Sequence, residues 1–260
     1  MSYFDDHCAR MAPMDLKFLA SAGFEEPADP SDRLSDVAGV RVVELELGFN
    51  RVEEYEDASG ASISYIETGT GLKAKSFALA GNTKSVSAHV WQLAPGLVCV
   101  RVVDLYGAII KRVLANVTDP QLYPQFIVGM AAKPRRCLRY FLGAFAADVT
   151  VYPSVESWAK EHAPAGSAGA GVGVRALESR WLEPLLRGEV TQKELTSEAT
   201  LTGRVEAAEV ARNELTGKPW YKVSVDCGLP VTLALPASTF PRPRPGTIVH
   251  GEVFMTGSAT

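Results

Sequence analysis

The stretch Thr200–Gly257, TLTGRVEAAEVARNELTGKPWYKVSVDCGLPVTLALPASTFPRPRPGTIVHGEVFMTG, decides how this chain is read. Leu201, Gly203, Val205 and Ala207 alternate with Thr202, Arg204 and Glu206. A polar turn follows at Asn213–Gly217, where Gly217 can take a positive φ. Tyr221, Val223 and Val225 then alternate with Trp220, Lys222 and Ser224, and Cys227-Gly228 makes a tight return. Leu229, Val231, Leu233 and Leu235 alternate with Pro230, Thr232 and Ala234. A period of two marks strands with one buried face. The last run, Thr247–Met255, carries Val249, Val253 and Met255 on one side and Ile248 and Phe254 on the other. Both of its faces are therefore expected to be partly buried.

Three motifs sit on these strands: G-x-V at Gly203–Val205, W-Y-x-V-x-V-D at Trp220–Asp226, and PGTIVHGEV at Pro245–Val253. Three meandering strands, a connector and a strand entered through Pro-Gly resemble an OB-fold barrel, over about a quarter of the chain. The resemblance departs from the pattern twice. The connector's FPRPRP forbids the usual helix, and too few residues follow Met255 for a fifth strand, which must come from elsewhere or be missing. NELTGKPWY at Asn213–Tyr221 is also similar to an uncharacterised bacterial family, which carries no function with it. The OB resemblance implies an outward face on the second and third strands that binds oligonucleotides or oligosaccharides. Here that face is expected to show Trp220, Lys222, Ser224, Arg204 and Thr232, with the indole stacking a base and the cations tracking phosphate. The competing reading has Trp220 sealing the unit against the rest of the chain. Thr200–Thr260 holds 6 basic and 5 acidic residues, a small excess for a nucleic-acid surface.

The chain has 260 residues, enough for about two domains. A hydrophobic fraction of 47 % supports a buried core. A net charge of −4 argues against broad electrostatic binding to nucleic acid or anionic membrane. No apolar run approaches the ~18 residues of a membrane span. The start, MSYFDDHCAR, is acidic where a secretory signal is basic and then apolar. A cytoplasmic location with no membrane partner is the expectation.

Met1–Asp36 is an acidic lead-in, with 8 Asp and Glu against 3 Arg and Lys, and holds a short helix over Pro13–Ala22 that stops at Gly23. From Val37 to Val117 about six strands joined by short turns predict an antiparallel meander. After Pro134, Leu138, Phe141, Leu142 and Phe145 fall at i, i+3, i+4 and i+7, which predicts a helix with Arg135, Arg136 and Arg139 on its other flank. Ser154 is a candidate N-cap for a helix carrying Val155, Trp158 and Ala159. APAGSAGAGVG at Ala163–Gly173 reads as a linker, and Val174–Arg187 as a helix. The expected fold class is α+β and β-rich: an antiparallel-sheet domain over 1–162, a glycine-rich linker and bridging helix over 163–197, and a small OB-like barrel over 198–260.

Arg135, Arg136 and Arg139, with Lys133, are candidates for an anion contact, since guanidinium forks pair with such groups at two points; the alternative is a solvated helix face. Glu53, Glu54, Glu56 and Asp57 crowd a turn and could hold a divalent cation, or form an exposed acidic tip. Gly169, Gly171 and Gly173 lack the preceding strand that a phosphate loop requires. His7, His89, His162 and His250 make no H-E-x-x-H pattern, and Cys8, Cys99, Cys137 and Cys227 make no C-x-x-C pair, so no metal or cofactor is signalled. No nucleophile elbow is present. The expected function is a non-catalytic binding module for a protein partner or an oligomeric ligand such as single-stranded nucleic acid. The rivals are an enzyme with a cleft site in the first domain or between domains, and a structural or assembly protein.

Overall fold

A computed structural model describes residues 16–24, 40–44, 49–68, 73–80, 84–125, 133–162 and 174–259. The expected helix start at Pro13, the glycine linker, His7 and Cys8 lie outside the described residues. Leu16–Ala22 forms a 3₁₀ segment that ends at Gly23, whose φ of 76° lets the chain reverse and bury Phe24.

Two sheets follow. The smaller is an antiparallel meander of β1 (Arg41–Glu44), β2 (Phe49–Glu56), β3 (Ala61–Thr68) and β4 (Lys73–Leu79). Among the described residues the larger holds nine strands. From the first half of the chain come β5 (Val86–Ala94), β6 (Leu97–Val103), β7 (Ile109–Asn116) and β8 (Arg135–Tyr152). From the second half come β9 (Ala176–Ser179), β10 (Glu198–Arg212), β11 (Pro219–Asp226), β12 (Pro230–Pro236) and β13 (Ile248–Ser258). Two helices are short: α1 (Val155–His162), with Ser157 N–H donating to Ser154 Oγ at its start, and α2 (Leu182–Arg187).

The expected barrel of the last sixty residues is not formed as a unit of its own. Strands β10 to β13 are lanes of the nine-stranded sheet, whose order is β11-β12-β8-β5-β6-β7-β13-β10-β9, with further pairings β10–β11 and β8–β13. The cause is the length of β8. Its 18 residues pair with β5 through Arg135–Tyr140, then antiparallel with β13 from Phe141 to Tyr152, and parallel with β12 at Gly143–Phe145. This strand also replaces the helix expected after Pro134. Around Leu142–Ala146 both of its faces are buried, so apolar residues accumulate without alternation, and their spacing happens to match a helical stripe. Leu138, placed on that stripe, is 87 % exposed. The helix expected over Val174–Arg187 is instead β9 followed by α2.

The sheets meet across an aromatic core. Phe18, Phe77, Phe145 and Phe254 stack and tilt against one another, with Phe18 centred 4.4 Å from Phe77 and 4.2 Å from Phe254. Trp220, Tyr55, Leu79 and Ala234 belong to the same core, with Leu19, Ala22, Phe24 and Ala61. A separate valine-rich core, including Val90, Val100, Val113, Leu201, Val223, Leu233 and Val253, fills the other side of the large sheet. At the junction, Leu79 N–H donates to Thr256 Oγ1 at 3.2 Å, and Gly143 has no room for a Cβ between Thr256 and Leu79.

Candidate functional site

The residues expected on an outward β face lie on one face by register, with Thr232 opposite Ser224 and Arg204 opposite Asp226, but that face is covered at Trp220 and Thr232. Trp220 is 0 % and Thr232 2 % exposed, because the small sheet and the Leu16–Ala22 segment cover the face on which Trp220 lies. An indole so enclosed has no face open to a base. Lys222 Nζ donates to Ser59 O at 3.0 Å, which ties β11 to the β2–β3 turn. Arg204 is exposed.

The cationic trio fares similarly. As strand neighbours, Arg135 and Arg136 point to opposite faces rather than along one helix flank. Arg135 donates to Leu122 O at 3.1 Å and lies over the Tyr123 ring; Arg139 lies over Phe141; Arg136 is exposed. The acidic group is split as well. Asp57 is buried and accepts from Tyr55 Oη at 3.0 Å, Ser59 N–H at 2.9 Å and Glu214 N–H at 2.8 Å, while Glu53 pairs with Arg51. Among the described residues, no three His, Cys, Asp or Glu side chains are grouped to hold a metal, and no helix is long and apolar enough to cross a membrane.

Two polar clusters were not foreseen. His162 and His250 meet with ring centroids 4.4 Å apart, His162 stacks on Trp158, and His250 Nδ1 is 2.8 Å from Thr202 Oγ1. Burial, then the neighbouring His162, lowers the His250 pKa. The cluster fastens α1 to β13. Asp119 follows β7 and is reached by Tyr123 Oη at 3.3 Å. Burial pushes its carboxyl up to about 7.

The most distinctive surface is the β6–β7 hairpin. Its tip exposes Leu105 at 97 % and Tyr106 at 96 %, with Ile109 and Ile110 about half exposed behind them. The tip is held in shape rather than loose. Gly107 N–H donates to Asp104 O at 3.1 Å, and the Asp104 carboxylate accepts from Tyr106 N–H at 2.9 Å and Ala108 N–H at 2.8 Å. Where turn chemistry favours polar side chains, this one presents an aliphatic and an aromatic. That was the available sequence signal: Leu105-Tyr106 beside Gly107 is apolar at a position the strand pattern leaves outside.

Down the same strand, Lys111 and Arg112 form one wall of a cleft of ≈ 740 Å³. The opposite wall and floor come from β9, α2, β10 and β13, and include Glu178, Arg180, Glu198 and Glu252. Register places Glu178 beside Thr200 and Thr200 beside Glu252, a row across three strands. Arg180 pairs with Glu198 at 3.1 Å, whereas Lys111 and Arg112 make no ion pair among the described residues. The cleft is thus cationic on the β7 side and mainly anionic on the other. No protein-family model, curated protein or solved structure matches the chain, so the similarity to an uncharacterised bacterial family and to OB-fold barrels is not upheld.

Proposed function

We propose that the chain is a non-catalytic binding module for a protein partner, and that it engages that partner through the β6–β7 hairpin. The observation carrying this reading is the tip itself: two large apolar side chains almost wholly in water, on a turn whose backbone is fixed by the Asp104 carboxylate. Exposed apolar groups on a preorganised element lose little conformational entropy when a partner covers them. Tyrosine and leucine at such a place supply contact area with few rotatable bonds.

The test is photo-crosslinking in the cells that make the protein. A photoreactive phenylalanine analogue replaces Tyr106 in one variant and the exposed strand residue Val210 in another. Position 106 is expected to give a discrete higher-mass adduct that position 210 does not, and Ile110→Lys added to the first variant should abolish it. No adduct from position 106, or equal adducts from both positions, would overturn the reading.

A further inference from the structure

Helix α1 has 8 residues. Isolated helices that short are marginal in water, so its persistence depends on what it packs against. Its anchor is the buried Trp158, which packs with Tyr152 of β8 and Ile248 of β13. A set of rings carries the anchor to the helix end. His162 lies parallel to Trp158 at 5.2 Å, edge-on to Tyr152 at 5.6 Å, and 4.4 Å from His250 of β13. The Trp158 carbonyl can only accept, so His162 Nδ1, 3.0 Å from it, carries a proton, and an added proton must go to Nε2. His250 Nδ1 is held at 2.8 Å by Thr202 Oγ1. Register sets the neutral Thr150 of β8 and Thr202 of β10 beside His250. Two residues along β13, Glu252 faces Asp148, and in the other direction Ile248 faces Arg204. On α1, Lys160 adds a cation and Glu161 accepts from Tyr152 Oη at 3.0 Å. What acts on His250 is burial first and His162 second, both against its charged form.

We infer that α1 is a pH-released strap: the His162–His250 contact holds it on β8 and β13 while the two rings are neutral or share one charge, and repulsion lifts it once both are charged, uncovering Trp158, Tyr152 and Ile248. This goes beyond the hairpin reading and does not rest on it. A first charge is tolerated, because His162 is exposed and ends the helix, where a cation is favourable. A second, on His250, is not. It would face a like charge across a ring contact and lies in a partly covered place, where water screens it less than in the open. The sign follows from the neutral form being favoured in the folded chain. The contribution of docking to stability is full above the ordinary histidine pKa of about 6.5 and is lost as pH falls through the lowered folded value. Because α1 is too short to persist by itself, its own hydrogen bonds report whether it is docked.

The test is residue-resolved amide exchange on the full chain at about pH 7.5 and about pH 5, on either side of the histidine range, with each rate taken relative to that of an unstructured amide at the same pH. Protection at Ala159, Lys160 and Glu161 is expected to fall about tenfold or more, the effect of two like charges at this spacing in a partly aqueous setting. Protection at Val100, in a strand paired on both sides, should hold. His162→Gln and His250→Gln each leave one ring to charge and should cancel the fall, whereas Glu161→Gln should not. The imidazole C–H resonances of His162 and His250 should titrate in two separated steps in the unaltered protein, and the remaining ring of either variant in one. Unchanged protection at about pH 5, a fall that survives both histidine variants, a fall removed by Glu161→Gln alone, or a parallel fall at Val100 would overturn the inference. Should either histidine variant lose α1 near neutrality, the titration of the unaltered protein decides, and independent single steps for the two rings would overturn it equally.

Discussion

Replacing Trp220 by alanine separates the two readings of the C-terminal strands. On an outward wall the change would cost no more than a surface substitution, about 0.5 kcal/mol. In the structure the indole is 0 % exposed and sits in the aromatic core with Phe18, Tyr55, Phe77, Phe145 and Phe254. Burying a tryptophan removes ~200 Å² from water, which at ~25 cal/mol per Å² is worth about 5 kcal/mol. Measured truncations of this kind cost about 3–5 kcal/mol, since the surrounding side chains close only part of the cavity. The same position makes a second, finer expectation. The indole Nε1 has no hydrogen-bond partner among the described residues. Trp220→Phe therefore removes an unpaired buried donor along with some packing, and should cost less than about 1.5 kcal/mol. The assay is urea unfolding followed by far-ultraviolet circular dichroism, because the chain has 4 tryptophans and fluorescence would mix their signals. The alanine variant should unfold at a markedly lower urea concentration with an unchanged slope. A loss below about 1 kcal/mol would refute the buried placement.

Two further outcomes follow from buried carboxyls. Asp119 has its pKa raised by burial from 3.8 to about 7 in the folded chain. The folded state then holds the proton more tightly than the unfolded one, so the contribution to stability is full below the unfolded pKa and is lost as pH rises through about 7. Asp119→Asn should flatten the fall in stability between about pH 4 and pH 7 seen in denaturant titrations; an unchanged slope would show that the carboxyl is solvated. Asp57→Ala leaves Tyr55 Oη and the N–H groups of Ser59 and Glu214 without their acceptor. It should cost about 3–5 kcal/mol and raise amide exchange in the β2–β3 turn together with that at Glu214; exchange confined to the β2–β3 turn would contradict the bridge between the sheets.

Much of the strand order in the first half was legible because it alternates. The runs ending near Val117 correspond to β3 through β7, with turns at Gly60, Gly96 and Gly107. Alternation loses meaning where both faces are covered, and that is where reading by pattern failed. Leu142 and Phe145 in β8 are buried from two sides, so a helical spacing emerged by coincidence. In β11 the alternation of Tyr221, Val223 and Val225 located one buried face correctly, but nothing local records that Phe18 and the small sheet cover Trp220 on the other. The fifth partner of the C-terminal strands could only come from a distant segment, and β8 lies about fifty residues upstream of β10. Of the candidate site, the turn at Tyr106-Gly107 was visible; the cleft was not, since it joins β7 to β9, α2, β10 and β13, which only tertiary pairing assembles.

The fixed apolar tip of the β6–β7 hairpin is the feature on which the partner-binding account turns, and residue-resolved amide exchange reads it directly. With the Asp104 carboxylate accepting from Tyr106 N–H and Ala108 N–H, both amides should be protected in the isolated protein and should lose that protection in Asp104→Ala. Unprotected amides at both positions in the unaltered protein would mean that the tip is loose, and the account would fall.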